Sequence, residues 1–362
     1  MHRLQQLQLV QFKNHSFQKI SFLGNAVGIC GNNGTGKTNL LDAIYYLCFT
    51  KSYFTNTDAL LVQHQTAGFR VEGVFETAHD GPQQIVAILR ETGKKEVSCN
   101  GEQYKKLAAH IGKFPAVMVA PDDIALINEG SEVRRKWLDV AIAQVDATYL
   151  QQLSQYNKVL LQRNSFLKLL REYPQQNQQV LHILTQQLTD AGTAIFEKRT
   201  QFMAQLEPIC LDLYQRFGGN AAEFSIQYQS ALQEQPFPQL LEQNLQRDIF
   251  AERTTQGIHK DDLLLHINQL PAKNHASQGQ KKTILFALKM TEFTLLKQQL
   301  GITPLLLLDD VFEKLDEQRL QNFVAWLQQQ QPVQVFITDT HAERLQAVLQ
   351  QIDAQYQLIE TK

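Results

Sequence analysis

The order of apolar and polar residues changes its period twice along the chain. From Leu4 to about Val119, short alternating or wholly apolar runs predict a strand-rich segment. Its predicted strands are residues 7–12, 19–22, 26–30, 68–77, 84–91, 96–100 and 116–119. One helix is expected directly after Cys30 and a short one near Lys105, so this first third combines strands and helices.

The middle of the chain, from about Ser131 to Gly218, repeats its apolar residues every three or four positions. This period predicts two long helices, the first ending at Pro174 and the second before Pro208, because proline cannot continue a helix. Helices of this length that fold back on each other form a short antiparallel arm. Their apolar stripes are too short for a long coiled coil.

The last third returns to strands and helices. An edge strand at 224–228 and a helix at 240–250 come first. Residues 263–267 alternate as a half-buried strand, and the runs 304–308, 333–337 and 356–359 predict three further strands. We therefore expect an α/β domain made of residues 1–125 and 251–362, interrupted by a helical insertion of residues 126–250.

A glycine-rich segment follows the apolar run at 26–30 and precedes the first helix. It fits the pattern G-x-x-x-x-G-K-[ST] with Gly31, Asn32, Asn33, Gly34, Thr35, Gly36, Lys37 and Thr38. In this context the backbone N–H groups surround phosphates at the positive end of the helix dipole. Lys37 carries charge toward the β- and γ-phosphates, and the Thr38 hydroxyl is suited to bind Mg²⁺. The segment predicts binding of a nucleoside triphosphate.

The apolar run at 304–308 ends in two carboxylates, Asp309 and Asp310. Such a run is typical of a strand buried on both faces of a parallel sheet, whose carboxyl edge binds ligands. A strand that ends in Asp is common by itself. Beside a phosphate loop, Asp309 is expected to hold Mg²⁺ and Asp310 to orient or deprotonate the attacking water.

A second anion site is expected at Ser277, Gly279 and Gln280, which stand at the start of a long amphipathic helix. Lys281 and Lys282 follow in the first turn, where cations oppose the helix dipole unless an anion is bound. Since the chain already has a phosphate loop, this segment is predicted to serve the nucleotide of a neighbouring subunit. The alternative is a plain serine helix cap followed by solvated lysines.

Together these segments resemble the RecF family of SMC-related, ABC-type ATPases. The resemblance runs from Leu7 to about His341. It is carried by Asn-Gly-Thr-Gly-Lys-Thr (33–38), Arg-Arg-Lys-Trp-Leu-Asp (134–139), Gln-Arg-Asn (162–164), Gly-Ile-His-Lys-Asp-Asp (257–262) and Ala-Ser-Gln-Gly-Gln (276–280).

The resemblance implies an ATPase head with an inserted helical arm, which uses ATP and Mg²⁺ and forms a homodimer when ATP is bound. Asp316 looks like the residue that reaches across the two-fold axis. The family's role implies weak, DNA-stimulated ATP hydrolysis, binding at single-strand/duplex junctions of gapped DNA, a RecR-type mediator partner, and recombinase loading during repair and replication restart.

Three positions depart from the pattern of related ATPases or hold only by analogy. Asp310 replaces the usual Glu and is one methylene shorter, which favours slow hydrolysis. The segment Ala120-Pro121-Asp122-Asp123 stands where relatives carry a Gln loop, and either aspartate could orient water or metal. His341 falls at the switch-histidine position. An ATPase subunit of a transport or nuclease complex, and a clamp that does not hydrolyse ATP, are the alternative functions.

Composition and charge limit how the protein could bind DNA and where in the cell it is expected. The net charge is −2 and the pI about 6.6, so DNA binding would need a local basic patch rather than a basic coat. Arg134, Arg135 and Lys136 are among the candidates, with bracing of the helical insertion as the alternative. The cysteines are scattered and no long apolar run occurs, so a cytoplasmic protein without a membrane span is expected. The cysteines are Cys30, Cys48, Cys99 and Cys210.

Overall fold

The computed structural model describes residues 2–77, 80–175, 178–220, 222–312 and 316–361. Contacts divide the chain into two compact units. The first, the sheet unit, comprises Met1–Ile124, Leu213–Gly219 and Lys282–Lys362. The second, the helical unit, comprises Ala125–Asp212 and Asn220–Lys281. The first boundary lies one residue from the expected position. Leu213–Gly219, inside the expected insertion, belong to the sheet unit, and the chain returns to that unit for good near residue 281 and not at 251.

A five-stranded parallel sheet forms the centre of the sheet unit, in the order β14-β3-β13-β12-β8. Its strands are β3 (Ala26–Cys30), β8 (Ala116–Val119), β12 (Leu305–Leu308), β13 (Val335–Asp339) and β14 (Gln357–Glu360). Every residue of β3, β8, β12 and β13 is buried, as the apolar runs at 26–30, 116–119, 304–308 and 333–337 predict, and burial in β13 extends to the polar Thr338 and Asp339. Because the strands are parallel, the segments that follow β3, β13 and β12 meet at one edge.

A six-stranded antiparallel sheet completes the sheet unit, in the order β2-β1-β4-β5-β6-β7. It contains β1 (Arg3–Phe12), β2 (His15–Ser21), β4 (Phe69–Thr77), β5 (Gly81–Leu89), β6 (Lys95–Cys99) and β7 (Glu102–Gln103). Burial alternates along β4, as expected for a sheet with one face on the core. The predicted strands are thus present, with ends shifted by up to four residues.

The helices of the sheet unit include α1 (Lys37–Phe49), most of α9 (Gln278–Leu300), α10 (Glu317–Gln329) and α11 (Ala342–Ile352). Nearly every residue of α1 is buried, which explains its high content of apolar and aromatic residues. An aromatic cluster of Phe217, Phe286, Phe323 and Trp326 joins three segments distant in sequence. The helix expected near Lys105 is a short 3-10 helix, Leu107–His110.

The helical unit contains the predicted antiparallel arm, formed by α4 (Ala147–Glu172) and by α5 (Gln178–Arg216) up to Asp212. Its remaining elements are α2 (Ala125–Asn128), α3 (Ser131–Val145), α6 (Phe237–Gln243), α7 (Leu245–Ala251), α8 (Ala272–His275), β9 (Phe224–Gln229), β10 (Asp262–Ile267) and β11 (Leu270–Pro271). Tyr149 contacts Arg199 at one end of the arm, and Arg163 contacts Thr185 near the other, so the two helices run in opposite directions.

Two helix ends differ from the sequence pattern. The second arm helix was expected to stop before Pro208, but α5 continues through it to Arg216. Leu206, Cys210 and Leu213 are buried on either side, and this continuous apolar burial outweighs the one backbone hydrogen bond that proline removes. The helix expected at 240–250 is two short helices, α6 and α7, separated at Asn244. Within the described part of the chain, no helix is both long and apolar enough to cross a bilayer.

Candidate nucleotide-binding site

The phosphate loop connects β3 to α1, which begins at Lys37. Gly36 caps this helix in the left-handed region with φ 96°, a conformation that side chains disfavour. A Cβ at Gly36 would also lie 2.5 to 2.8 Å from side-chain atoms of Asn14 and His15. Both backbone conformation and space therefore require glycine at this position.

The Lys37 side chain lies within the loop and is 5% exposed. Its ammonium donates hydrogen bonds to the carbonyl oxygens of Gly31 at 2.8 Å and Asn32 at 3.1 Å. The Thr35 hydroxyl donates to the Asn32 carbonyl at 2.9 Å and lies 2.6 Å from the Thr361 hydroxyl. A charged donor held inside a turn of backbone is the arrangement that phosphate binding requires.

Thr38 and Asp309 meet beside the loop, as the sequence predicts. The Thr38 hydroxyl lies 2.9 and 3.0 Å from the two carboxylate oxygens of Asp309. Thr338, at the end of β13, donates to the same carboxylate at 2.8 Å. Burial raises the pKa of Asp309, while the hydrogen bonds from Thr338 and Thr38 lower it. The pairing follows from the strand order, because β13 lies between β3 and β12.

The donor atoms of Thr38 and Asp309 fit a divalent cation. A hydroxyl and a carboxylate are hard oxygen ligands, and Mg²⁺ is usually held by one or two such groups together with phosphate oxygens and water. In this structure the two side chains already lie within hydrogen-bond distance of each other. The pair can therefore hold Mg²⁺ next to the loop that binds phosphate.

Asp310 has a backbone conformation that is rare for a residue other than glycine, with φ 46°. Its N–H donates to the Thr338 hydroxyl at 2.9 Å, which fixes this turn at the end of β12. Strained conformations of this kind occur often at functional sites. The turn places the Asp310 carboxylate next to Asp309, and its charge contributes to raising the Asp309 pKa.

His341 lies at the same edge of the sheet, two residues after β13. Its side chain is 69% exposed, and its Nδ1 is 3.7 Å from the Asp339 carboxylate. Arg344 donates two hydrogen bonds, at 2.7 and 2.9 Å, to that carboxylate. His341 is therefore accessible to a nucleotide or to another subunit, and its catalytic role stays a prediction.

Asp123, the other acidic candidate, has a structural role. It accepts hydrogen bonds from Tyr53 and from the Ala120 N–H, the latter at 2.7 Å, and pairs with Lys289 at 3.2 Å. Lys289 is buried, so its charge needs this partner. The suggestion that Asp123 orients water or metal does not fit these contacts. Asp122 is exposed on the same turn.

Ser277 and Gln280 form a reciprocal cap at the start of α9, in the helical unit. The Ser277 hydroxyl accepts from the Gln280 N–H at 3.2 Å, and the Gln280 side chain accepts from the Ser277 N–H at 2.8 Å. The serine cap considered from sequence is thus present. Ser277 is also exposed, so its hydroxyl is accessible to an anion. Lys281 is not solvated, because it is buried and donates to Asn128 and Lys273.

In the structure Arg134 and Arg135 make the bracing contacts that were the alternative from sequence, and their contact with DNA stays a prediction. Arg134 donates to both carboxylate oxygens of Asp262, at 2.7 and 2.9 Å, and to two backbone carbonyls. Arg135 donates to the Asp261 carbonyl at 2.6 Å, and burial lowers its pKa. These contacts join α3 to β10 and use most donors of Arg134. Lys136 is exposed.

Replacing Arg134 with Ala should lower the free energy of unfolding by about 2–3 kcal/mol, because it leaves the half-buried Asp262 carboxylate without its charged partner. Chemical denaturation measures the change. Lys158→Ala, which removes an exposed charge from α4, should alter stability by less than about 0.5 kcal/mol. Equal stability of the two variants would contradict the bracing role.

Another buried network is centred on Arg199, whose side chain is 2% exposed. Arg199 pairs with Asp139 at 2.9 Å and with Asp261 at 2.8 Å, and it donates to the Ile258 carbonyl. The neighbouring carboxylates outweigh burial and hold the pKa of Arg199 well above its usual value. Tyr228 donates to Asp261 at 2.5 Å. Nothing in the sequence near Arg199 indicated this role.

A second network lies along the arm. Arg163 is buried and pairs with Asp248 at 2.8 Å. His259 lies 2.7 Å from the Tyr156 hydroxyl, and burial lowers the pKa of His259 to about 4, so the ring is neutral. Three segments that carry the family resemblance, at 134–139, 162–164 and 257–262, thus form the polar framework of the helical unit.

Comparisons with known proteins agree with this architecture. Residues 3–361 match the model of the RecF/RecN/SMC N terminal domain family. The DNA replication and repair protein RecF of Flavobacterium johnsoniae is 40% identical over 98% of this chain and 99% of its own length. The corresponding protein of Phocaeicola vulgatus is 35% identical over 98% of this chain and 95% of its own.

A solved structure of the recombination mediator protein RecF with ATP, from the RecFOR pathway, superposes with a TM-score of 0.86 at 31% identity, covering 94% of this chain and 92% of the other. This similarity extends over nearly the whole chain. It agrees with the α/β head, its inserted antiparallel arm, and the phosphate loop beside Asp309. The chain belongs to the RecF family.

Proposed function

We propose that this protein is an ATP-dependent DNA-binding protein of recombinational repair and replication restart, which dimerises on ATP and hydrolyses it slowly. The observation that carries the proposal is the contact of Thr38 with Asp309 beside the phosphate loop, in a chain similar to RecF throughout. The solved RecF structure with ATP supports ATP as the nucleotide.

Different residues of the sheet unit bind the nucleotide and take part in its hydrolysis. Backbone N–H groups of residues 31–38 hold the phosphates, and Lys37 exchanges its carbonyl partners for the β- and γ-phosphates. Thr38 and Asp309 would hold Mg²⁺, which would neutralise charge on the phosphates. Asp310 orients the attacking water, and the rigid turn beneath it fixes the carboxylate. His341 is the proposed contact to the γ-phosphate.

The second half of each site would come from another subunit. The Ser277 hydroxyl is exposed at the start of α9 and would contact a γ-phosphate, with Gly279 and Gln280 in the same turn. In a two-fold dimer each Ser277 faces the Lys37 of the other subunit, so the contact occurs twice. Asp316 caps α10 by accepting from the Arg319 N–H at 2.9 Å and is the proposed contact across the axis. Residues 313–315, which precede it, lie outside the described part of the chain.

The proposed cellular role follows from the family. It comprises binding to single-strand/duplex junctions of gapped DNA in the cytoplasm, a RecR-type mediator partner, and recombinase loading. Without base-reading elements, Lys and Arg side chains would contact phosphates, so recognition follows DNA shape and not sequence. Since Arg134 and Arg135 brace the helical unit, the DNA contact falls to exposed lysines such as Lys136.

Replacing Asp310 with Asn should lengthen the lifetime of the ATP-bound dimer on gapped DNA by at least about tenfold, because hydrolysis resets the clamp and positioned acid–base groups contribute about 100-fold or more to rate. The lifetime is measured as the rate at which the protein dissociates from surface-immobilised DNA after ATP is withdrawn. Glu102→Asn, an exposed acidic residue in β7, is the matched control and should leave the lifetime unchanged.

Two outcomes would contradict the slow clamp. Turnover of the unaltered protein near 100 per second, on the order of a fast enzyme, is incompatible with it. An unaltered lifetime in Asp310→Asn would instead favour a clamp that does not depend on hydrolysis, the alternative function considered above.

A further inference from the structure

The segment that follows β14 packs on the phosphate loop, within the sheet unit. β14 pairs in parallel with β3, in a register that sets Glu360 beside Cys30. The next residue, Thr361, continues this ladder, since its N–H donates to the Cys30 carbonyl at 2.8 Å. Because Gly31 follows Cys30, the ladder brings Thr361 to the first residue of the loop.

Thr361 lies so close to Gly31 that a side chain does not fit at Gly31. A Cβ at this position would lie 2.3 Å from the Thr361 hydroxyl oxygen and 2.7 Å from the Thr361 carbonyl oxygen. Both distances are shorter than a van der Waals contact, so a side chain would displace the segment after β14. The glycine therefore leaves room for Thr361 as well as for a phosphate.

The hydroxyl groups of Thr361 and Thr35 form a short chain of hydrogen bonds that ends in the loop. The two hydroxyl oxygens are 2.6 Å apart, and the Thr35 hydroxyl lies 2.9 Å from the Asn32 carbonyl oxygen. The Thr361 hydroxyl is also 3.2 Å from the Cys30 carbonyl, which already accepts the Thr361 N–H. Hydrogen bonds between oxygen atoms are usually about 2.5–3.0 Å long. The two shorter contacts therefore take the protons, so that Thr361 donates to Thr35 and Thr35 donates to Asn32.

The Asn32 carbonyl at the end of this chain also accepts from Lys37, at 3.1 Å. A carbonyl oxygen has two lone pairs and can accept both bonds. When a triphosphate binds, the Lys37 ammonium would leave this carbonyl for the phosphates. The bond from Thr35 would remain, because Thr361 fixes the direction of the Thr35 hydroxyl. The loop would then keep an internal hydrogen bond while its lysine contacts the ligand.

We propose that Thr361 is a positioning residue, which holds the phosphate loop in its binding conformation through Thr35. This inference rests on the proposed function, since it concerns the same nucleotide site. A loop that is already held in its bound conformation loses less conformational freedom on binding, which raises affinity. Because Thr361 acts on the loop, its effect is equal for ligands that carry the same phosphates.

Calorimetric titration of Thr361→Val with Mg·ATP and with Mg·tripolyphosphate tests the proposal. Valine has nearly the volume of threonine and keeps the backbone N–H, but it lacks the hydroxyl. Both affinities should fall about fivefold, the loss expected for one hydrogen bond. Thr361→Ser keeps the hydroxyl and should bind both ligands within about twofold of the unaltered protein. Unchanged affinities in Thr361→Val, or a loss for ATP alone, would overturn the positioning role.

A double variant tests whether Thr361 acts through Thr35. Thr35→Val breaks the same chain and should weaken both ligands at least as much as Thr361→Val does. Adding Thr361→Val to Thr35→Val should cost less than about a further twofold, because substitutions that remove one shared contact are not additive. Fully additive losses would show that Thr361 does not act through Thr35 and would exclude the proposal.

Thr77→Val is the matched control. The Thr77 hydroxyl also donates to a backbone carbonyl, that of Gly81 at 2.9 Å, but it lies at the end of β4 in the antiparallel sheet. This variant should change neither affinity. A loss in Thr77→Val equal to that in Thr361→Val would assign the effect to a general loss of stability, against the proposal.

The proposed function fails separately. Its failure appears as an unaltered protein that binds neither ligand, or as a Lys37→Ala variant that binds both normally. If Lys37→Ala loses both ligands while Thr361→Val loses neither, the nucleotide site stands and only the positioning role of Thr361 is wrong.

Discussion

Ser277→Arg should abolish ATP-driven dimerisation while leaving ATP binding to the monomer within about twofold. The exposed Ser277 hydroxyl is the proposed contact with the partner's γ-phosphate, and an arginine at this position brings a bulky side chain into a fitted two-fold interface. Because the contact occurs twice, each altered dimer carries two clashes. Sedimentation velocity with and without ATP measures the effect.

Two control variants separate this effect from changes in the helix. Ser277→Ala removes the cap on the Gln280 N–H, which costs about 1 kcal/mol of local stability, but it adds no bulk and should leave a weakened dimer. Ser165→Arg places the same new side chain on the exposed face of α4 and should dimerise normally. A dimer of Ser277→Arg at unaltered strength would exclude the proposed arrangement, as would an unaltered protein that stays monomeric with ATP.

The second large effect concerns folding. Replacing Arg199 with Met should lower the free energy of unfolding by about 3–5 kcal/mol, because it leaves the Asp139 and Asp261 carboxylates without their shared cation. Asp261 is itself buried, and burial raises its pKa, so its charge depends on Arg199. Chemical denaturation followed by circular dichroism measures the loss.

The adjacent residue offers a matched control. Lys198 pairs with Asp146 at 2.9 Å, but its side chain is 43% exposed. An exposed pair contributes about 0–1 kcal/mol, so Lys198→Met should have a small effect. Arg199→Lys keeps the charge without the forked donors and should fall between the two. If Arg199→Met were as stable as Lys198→Met, the buried network would not hold the helical unit together.

The sequence predicted the elements whose signals are local. The strands at 26–30 and 116–119 appear with the expected ends, because each is a short, wholly apolar run. The end expected at Pro208 was wrong, because burial along α5 depends on packing partners that a local rule does not include. The same limit applies to the boundary at 251, since residues up to 281 join the helical unit through pairings such as β9 with β10.

The basic residues show most clearly what the sequence alone does not predict. From sequence, Arg134 and Arg135 form a basic patch suited to DNA, and Arg199 attracts no attention. The structure pairs Arg134 with Asp262 and Arg199 with Asp261, more than 60 positions away in each case. A charge pattern gives the sign of a side chain but not its partner, so it does not distinguish a phosphate contact from a buried ion pair.

The sequence by itself determined the phosphate loop from Gly31 to Thr38, the acidic end of the Asp309 strand, and the helix cap at Ser277, because each depends on neighbouring residues and on backbone geometry. Only the tertiary structure decided that Thr38 and Thr338 both contact Asp309, that Asn14 and His15 pack on the start of α1, and that Arg134 braces β10. These contacts depend on strand order and on the folding of distant segments onto one another, which no short stretch of residues specifies.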